Sequence, residues 1–339
     1  MKSILGCCAG LALALVVAFF MGESPIHVLQ ILAQSAFGSP YDFGVTMYYM
    51  TPLLLTGLAV AIPYRAGLFN IGGEGQMLMG CMATALVGVI WPELPAPASW
   101  LIAIAAGLLV GGAWAAISAY LKVRRGSHEV VITIMLNFIA AAITSYLAIS
   151  VFPNPGSQNP ETMRLPETFL LRSFDRIPSL FQDAPVNLTW VVAIFLTLFL
   201  HFVMERSVFG FSIRATGLNP LAARRSGLST DRLQILAFAI GGACAGLVGM
   251  NEVLGNAGQF KVGFSPEYGF MGIAVALLAR GRLWACLPSA FLLAILHKGA
   301  MDLDIETEFI TRDFSKVLQG LIILSVVAFE NHRKPVEHT

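Results

Sequence analysis

The chain has 339 residues, 56% of them hydrophobic and only 12% charged, with a formal net charge of +1. About a quarter of an average soluble domain is charged, so this composition excludes a water-facing surface, disorder, a disulfide-stapled secreted scaffold and a nucleic-acid binder. What fits is an all-α polytopic membrane protein, one transmembrane domain over residues 1–339, with apolar runs divided by short charged stretches.

A helix needs roughly 20 apolar residues to cross a bilayer core. In chain order the runs fall near 4–21, 45–62, 76–91, 100–121, 130–151, 188–204, 233–254, 269–280, 283–297 and 316–329. They predict about ten transmembrane or half-spanning helices. The first begins like a signal peptide, but no small-x-small cleavage site follows Phe19-Phe20-Met21, so it reads as an uncleaved helix. The run at 269–280 is short and 76–91 is marginal, and both are expected as half-helices.

Lys and Arg set the orientation. With a cytoplasmic N-terminus, fourteen of the 21 basic residues fall on the inner side and seven on the outer, three of those in the 152–187 loop. Both termini are therefore predicted to be cytoplasmic. Asp302, Asp304, Glu306, Glu308 and Asp313 cluster in one outer loop. The long extracytoplasmic loop 152–187 is rich in proline and acid, as a solvated connector or a docking surface for an extracytoplasmic partner would be.

Two stretches are unusual for spans. Arg65 to Met77 places four glycines beside Asn70, Glu74 and Gln76. Each glycine destabilises a helix by roughly 1 kcal/mol relative to alanine, so a backbone break is expected. It is either an ordinary cytoplasmic turn or a broken helix entering a transport pathway. Gly263 to Gly272 forms a second Gly/Pro break ahead of the short run, about 196 residues later. Paired interruptions in the two halves point to a transporter's binding region and to a two-fold internal repeat with broken helices. Asn137 is a lone polar residue in its run, placed to bond a neighbouring helix or a polar substrate. Glu129 is expected to cap its helix and Glu252 to reach the interface at the outer end of its span. No Asp or Lys is expected deep in a span, which argues against an ion-gradient-driven carrier. Cys7, Cys8, Cys81, Cys244 and Cys286 read as packed small hydrophobes, and Gly242 and Gly246 as a close helix contact.

The cytoplasmic loop 205–232 contains Asn219, a good N-cap, with Pro220 at the first helical position and Gly227 beyond the end. A two-turn helix over 220–226 follows, packed on its own domain or serving as a peg for a partner. Catalytic patterns are missing. His128-Glu129 begins a zinc-protease motif, but Ile132 stands where its second His belongs. Neither a Gly-x-Ser-x-Gly elbow nor a Gly-x-x-x-x-Gly-Lys-Ser/Thr loop occurs. No catalytic residue, metal ligand or cofactor is assigned, and a nucleotide site would have to come from another chain.

Arg214-Ala215-x-Gly217-x-Asn219 followed by Ala222-Ala223-x-x-x-Gly227 resembles the coupling loop of bacterial ABC importer permeases. Gly67-Leu68-Phe69-Asn70-Ile71-Gly72-Gly73-Glu74-Gly75-Gln76 is similar to the branched-chain amino acid and simple-sugar permease family, closest to its nucleoside and simple-sugar members. His128 to Asn137 and Pro266-x-x-Gly269 with Ile273 to Leu278 fit the same group, so the resemblance covers about 45–300. Leu221 stands where the coupling loop usually begins with Glu, and a hydrophobic anchor is expected in its place. The resemblance implies an inner-membrane importer with cytoplasmic ATP-binding subunits, a second permease subunit, homologous or identical, and an extracytoplasmic solute-binding protein, with only lipid around it. It implies ATPase coupling through Arg214, Gly217, Asn219, Leu221, Ala222, Ala223 and Gly227. Phe69, Asn70, Glu74, Gln76 and Asn137 are expected on the substrate pathway, their polar and aromatic groups suiting a ribosyl or purine solute. The alternatives are a permease for branched-chain amino acids, an ion-driven secondary transporter and a membrane enzyme.

Overall fold

The structure is a computed structural model that describes residues 2–171, 181, 183–307, 310 and six isolated positions between 317 and 328. Eight of the fourteen residues of the span expected at 316–329 lie outside the described residues, as do Arg172, Arg176, Glu308, Arg312 and Asp313. The helices are α1 (Lys2–Phe20), α2 (Pro25–Phe37), α3 (Pro40–Arg65), α4 (Gly73–Ile90), α5 (Ala98–Arg125), α6 (Glu129–Tyr146), α7 (Leu188–Arg206), α8 (Val208–Leu218), α9 (Pro220–Arg225), α10 (Thr230–Gly246), α11 (Tyr268–Leu278) and α12 (Cys286–Glu306). Among the described residues, seven helical stretches are long and apolar enough to cross a membrane.

Burial explains why these runs assemble as they do. The α3 span is 89% buried, whereas the spans of α5, α6 and α7 are 33%, 22% and 28% buried. Hence α3 is the central post, ringed by α10, α11 and α12, while α5 to α7 present apolar faces outward as lipid requires. Glycine sets the closest approaches. Gly107 and Gly111 of α5 lie against Gly242 and Gly246 of α10 with no room for a Cβ, the small-residue contact expected from the sequence. Cys81, Cys244 and Cys286 are buried and free; the side chains of Cys7 and Cys8 fall outside the description.

Several expectations need correction. α2 was not anticipated; at 13 residues it is too short for a span. α4 is a full 18-residue helix rather than a half-helix, because its glycines at 73 and 75 sit in the first turn and interrupt nothing. α12 runs on to Glu306, so Lys298 and Asp302 are helical rather than part of a loop. Lys298 is therefore a buried cation within a span, contrary to expectation. It is satisfied by Asp42 at 2.9 Å, Asp302 at 3.0 Å and Ser35. Beyond α10 the chain continues as a π-helical segment, Met250–Ala257.

The connections sort to two ends. At one, here called the basic end, Arg65 meets Glu205 and the Gly281 carbonyl, and Lys122 meets Glu129. At the other, residues 160–171 run along 254–262, joined by backbone bonds such as Thr162 to Phe260 and Leu165 to Gly258.

Candidate functional site

Residues 66–72 leave α3 at the basic end and climb back inward to the start of α4. α11 shows how far. Its far end lies beside Arg280 and Gly281, which Arg65 contacts at the basic end. Eleven residues at 1.5 Å each put its start about 16 Å from that end. There the Gly269 amide donates to a Glu74 carboxylate oxygen at 2.7 Å. The two breaks seen in the sequence thus touch, with Gly269 lying directly on the Glu74 backbone, where a Cβ has no space. A carboxylate at a helix start complements its free amides and dipole.

Irregular backbone inside a membrane domain must find partners within the protein. In this return loop Asn70, fully buried, supplies all four of its amide's bonds: to the Ala59 carbonyl at 2.9 Å, from the Gly72 amide at 2.9 Å, and to and from Gln76 at 3.0 Å each. Asn137 accepts from the Gly75 amide at 2.9 Å and donates to the Ile71 carbonyl at 3.0 Å. These three amides lace the break to α3 and α6. Phe69 points elsewhere. It lines a cavity of about 130 Å³ with Val60, Ala276 and Arg280, and a wider cleft of about 560 Å³ at the basic end with Glu129, Arg214 and Leu218.

Residues 205–232 hold more structure than the single short helix expected. Ser207 caps α8 by accepting from the Gly210 amide, and Asn219 caps α9 by accepting from the Ala222 amide. Arg214 bonds Glu205 at 2.9 Å and the Met204 carbonyl, while Glu205 also holds Arg65 at 2.8 Å. Gly217 sits against the Arg65 carbonyl and the Gly67 amide, so α8 rests backbone to backbone on the start of the return loop. Ala223 is buried beneath α9, whereas Leu218 and Leu221 are 88% and 73% exposed. Gly227 has φ +87, the left-handed conformation that suits glycine after a helix.

One group of residues was missed. Glu252 does not reach an interface; it is 7% exposed, because the helical chain continues past 254 and carries it inside. It accepts from the Tyr48 hydroxyl at 2.6 Å and from Asn251 at 3.1 Å, and Asn256 donates to the Tyr48 oxygen at 2.7 Å. Asn251 in turn accepts from Asn187, the cap of α7. Rings of Tyr49, Tyr268 and His297 pack edge to face around the same place. An acid in an otherwise apolar run was the available signal.

Comparison with known proteins fits this architecture. Residues 44–327 match the family described as branched-chain amino acid transport system / permease component. The guanosine ABC transporter permease protein NupP of Bacillus subtilis is 34% identical, over 94% of this chain and 90% of its own. A glucose ABC transporter permease protein of Haloferax volcanii is 30% identical, over 95% and 85%. A second guanosine permease protein of Bacillus subtilis, NupQ, is 28% identical over 73% and 78%. A laced return loop, a helix pair resting on it and seven crossing stretches therefore belong to a multi-pass ABC transporter permease of the branched-chain amino acid transport system / permease component family.

Proposed function

We propose that this permease imports a neutral, hydroxyl-rich solute, a nucleoside or a simple sugar, and that its motor docks on α8 and α9. The observation that carries the docking is the exposed pair Leu218 and Leu221, on a mount fixed by the Arg65–Glu205–Arg214 network. Large apolar side chains held rigidly in the open favour a partner protein. In this reading the basic end is cytoplasmic, as are both termini, and the 152–187 loop faces the solute-binding protein. The chain hydrolyses nothing itself; ATP-binding subunits push α9, and α8 passes the motion through Gly217 to the return loop at Gly67. Nucleotide and loaded binding protein would each favour a different state of the pathway, as a switch requires. Arg214, Gly217, Asn219, Ala222, Ala223 and Gly227 shape this element, and Leu221 is its anchor.

Phe69 faces the cleft, Glu74 joins the return loop to the start of α11, and Asn70, Gln76 and Asn137 hold the return-loop backbone that continues from the cleft wall. The solute class rests on relatives aligned over nearly the whole chain, one named for guanosine and one for glucose. Two guanosine permeases of one bacterium that both resemble this chain favour a related, non-identical second permease.

The test is reconstitution of the permeases, ATP-binding subunits and binding protein in liposomes, with guanosine, glucose and leucine as solutes. Uptake of guanosine or glucose that needs ATP supports the reading; uptake of leucine alone contradicts it. Leu221→Ser should lower ATP-binding subunit recovery with the permease while leaving permease abundance unchanged. Unchanged recovery would remove Leu221 from the docking site.

A further inference from the structure

The Glu252 cluster differs in kind from the rest of the buried polar groups. Asn70, Gln76 and Asn137 bond mainly to backbone atoms or to one another within the break they hold. Glu252, by contrast, takes its bonds from side chains, Tyr48 and Asn251, on two segments. Such bonds exchange partners without unpicking any backbone. A carboxyl inside a membrane domain is costly unless donors meet it, and its presence there marks function by default.

The surroundings give the cluster a mouth and a wall. Tyr48 is 6% exposed, but Asn256, bonded to its hydroxyl, is itself exposed among buried and half-buried neighbours, so the chain of bonds leads from the surface to the buried acid. The backbone is irregular at the same place. Glu252 and Asn256 lie on a π-helical segment, a feature frequent at functional sites. Facing them, Pro52 lacks the N–H that would bond the Tyr48 carbonyl, which loosens α3 beside Tyr48. The rings of Tyr49, Tyr268 and His297 form the wall. Tyr268 opens α11 and adjoins Gly269, which rests on Glu74. The cluster is therefore joined through Tyr268 and Gly269 to the return loop that carries Phe69.

We propose that Glu252, with Tyr48 and Asn256, is the solute-binding station inside the membrane, and that it takes a neutral solute bearing adjacent hydroxyls. The assignment rests on the nucleoside or sugar reading above. The two carboxylate oxygens accept from two neighbouring hydroxyls of the solute, which displace Tyr48 and Asn251. Asn256 and the freed Tyr48 hydroxyl bond the remaining oxygens, and the flat face of the solute lies on the rings. The Tyr48–Glu252 bond is the one that the solute's hydroxyl replaces.

The test compares guanosine with 2′,3′-dideoxyguanosine in liposomes holding the whole complex, at saturating loaded binding protein, so that selectivity at the membrane step is read. A site that bonds a hydroxyl rejects the analogue lacking it by about tenfold or more. The natural chain should move guanosine at least that much faster, and Glu252→Ala should bring the two rates within about twofold. Tyr48→Phe and Asn256→Ala remove single groups, keep the fold if Glu252→Ala does not assemble, and should reduce the preference partway. A merely structural role would lower both rates together and keep their ratio, which would overturn the proposal. If the natural chain moves guanosine and all three variants keep its selectivity, the station is wrong while the nucleoside reading stands. If glucose alone is carried, glucose against 2-deoxyglucose decides in the same way. If neither is carried, both readings fall.

Discussion

The return loop at 66–72 and the π-helical segment Met250–Ala257 are both irregular backbone within the same membrane domain, yet they treat their polar residues in opposite ways. In the first, Asn70 makes four bonds, two of them to backbone groups, and Asn137 makes two more to backbone. In the second, Tyr48, Asn251, Glu252 and Asn256 bond one another through their side chains. The difference teaches that polarity inside a membrane has two uses. Amides fixed to backbone make a break stable, and side chains fixed to other side chains remain available to a solute.

The largest expected effect falls where the two breaks meet. Gly269→Leu has no space against Glu74 and should reduce membrane abundance of the permease at least tenfold, since overpacking against backbone cannot relax cheaply. Normal abundance would show that the breaks need not touch. Next comes Asn70→Leu, which strands the Ala59 carbonyl, the Gly72 amide and Gln76. Each buried group left unpaired costs about 1–3 kcal/mol, so the thermal midpoint in detergent should fall clearly. An unchanged midpoint would erase the contrast between the two regions. Glu252→Gln keeps the shape of the side chain, and its stability loss should stay below about 1.5 kcal/mol while transport per molecule drops. The smallest stability effect belongs to the exposed Asn256, whose change to Ala is expected to stay within about 0.5 kcal/mol by the same thermal assay. A larger loss there would make Asn256 a structural residue.

The sequence was most readable where composition was extreme. Four glycines around Asn70 and Glu74 announced the return loop, because each disfavours a helix interior; Gly67 and Gly72 fall in the loop, while Gly73 and Gly75 open α4. Asn219 and Pro220 announced α9 through cap chemistry that acts over three residues. α8 was not seen, since Val208–Leu218 is neither long enough for a span nor strongly patterned. Nor was the pairing of Glu74 with Gly269 visible; 195 residues separate them, and only tertiary packing brings them together. Glu252 and Lys298 were misplaced for one shared reason. Hydropathy ends a span where polar residues begin, whereas both helices continue and bury those residues against partners from α2 and α3.

The division of labour between the two regions is most directly tested by guanosine uptake per permease molecule, measured in liposomes for Asn70→Leu and Glu252→Gln side by side. Asn70→Leu should yield few molecules that each work within about twofold of the natural rate, the loss falling on the unpaired groups of the fold. Glu252→Gln should yield a normal number that each work about tenfold more slowly, the loss of one charge-assisted bond to the solute. The reverse pattern, a slow but abundant Asn70→Leu and a scarce but fully active Glu252→Gln, would contradict the account.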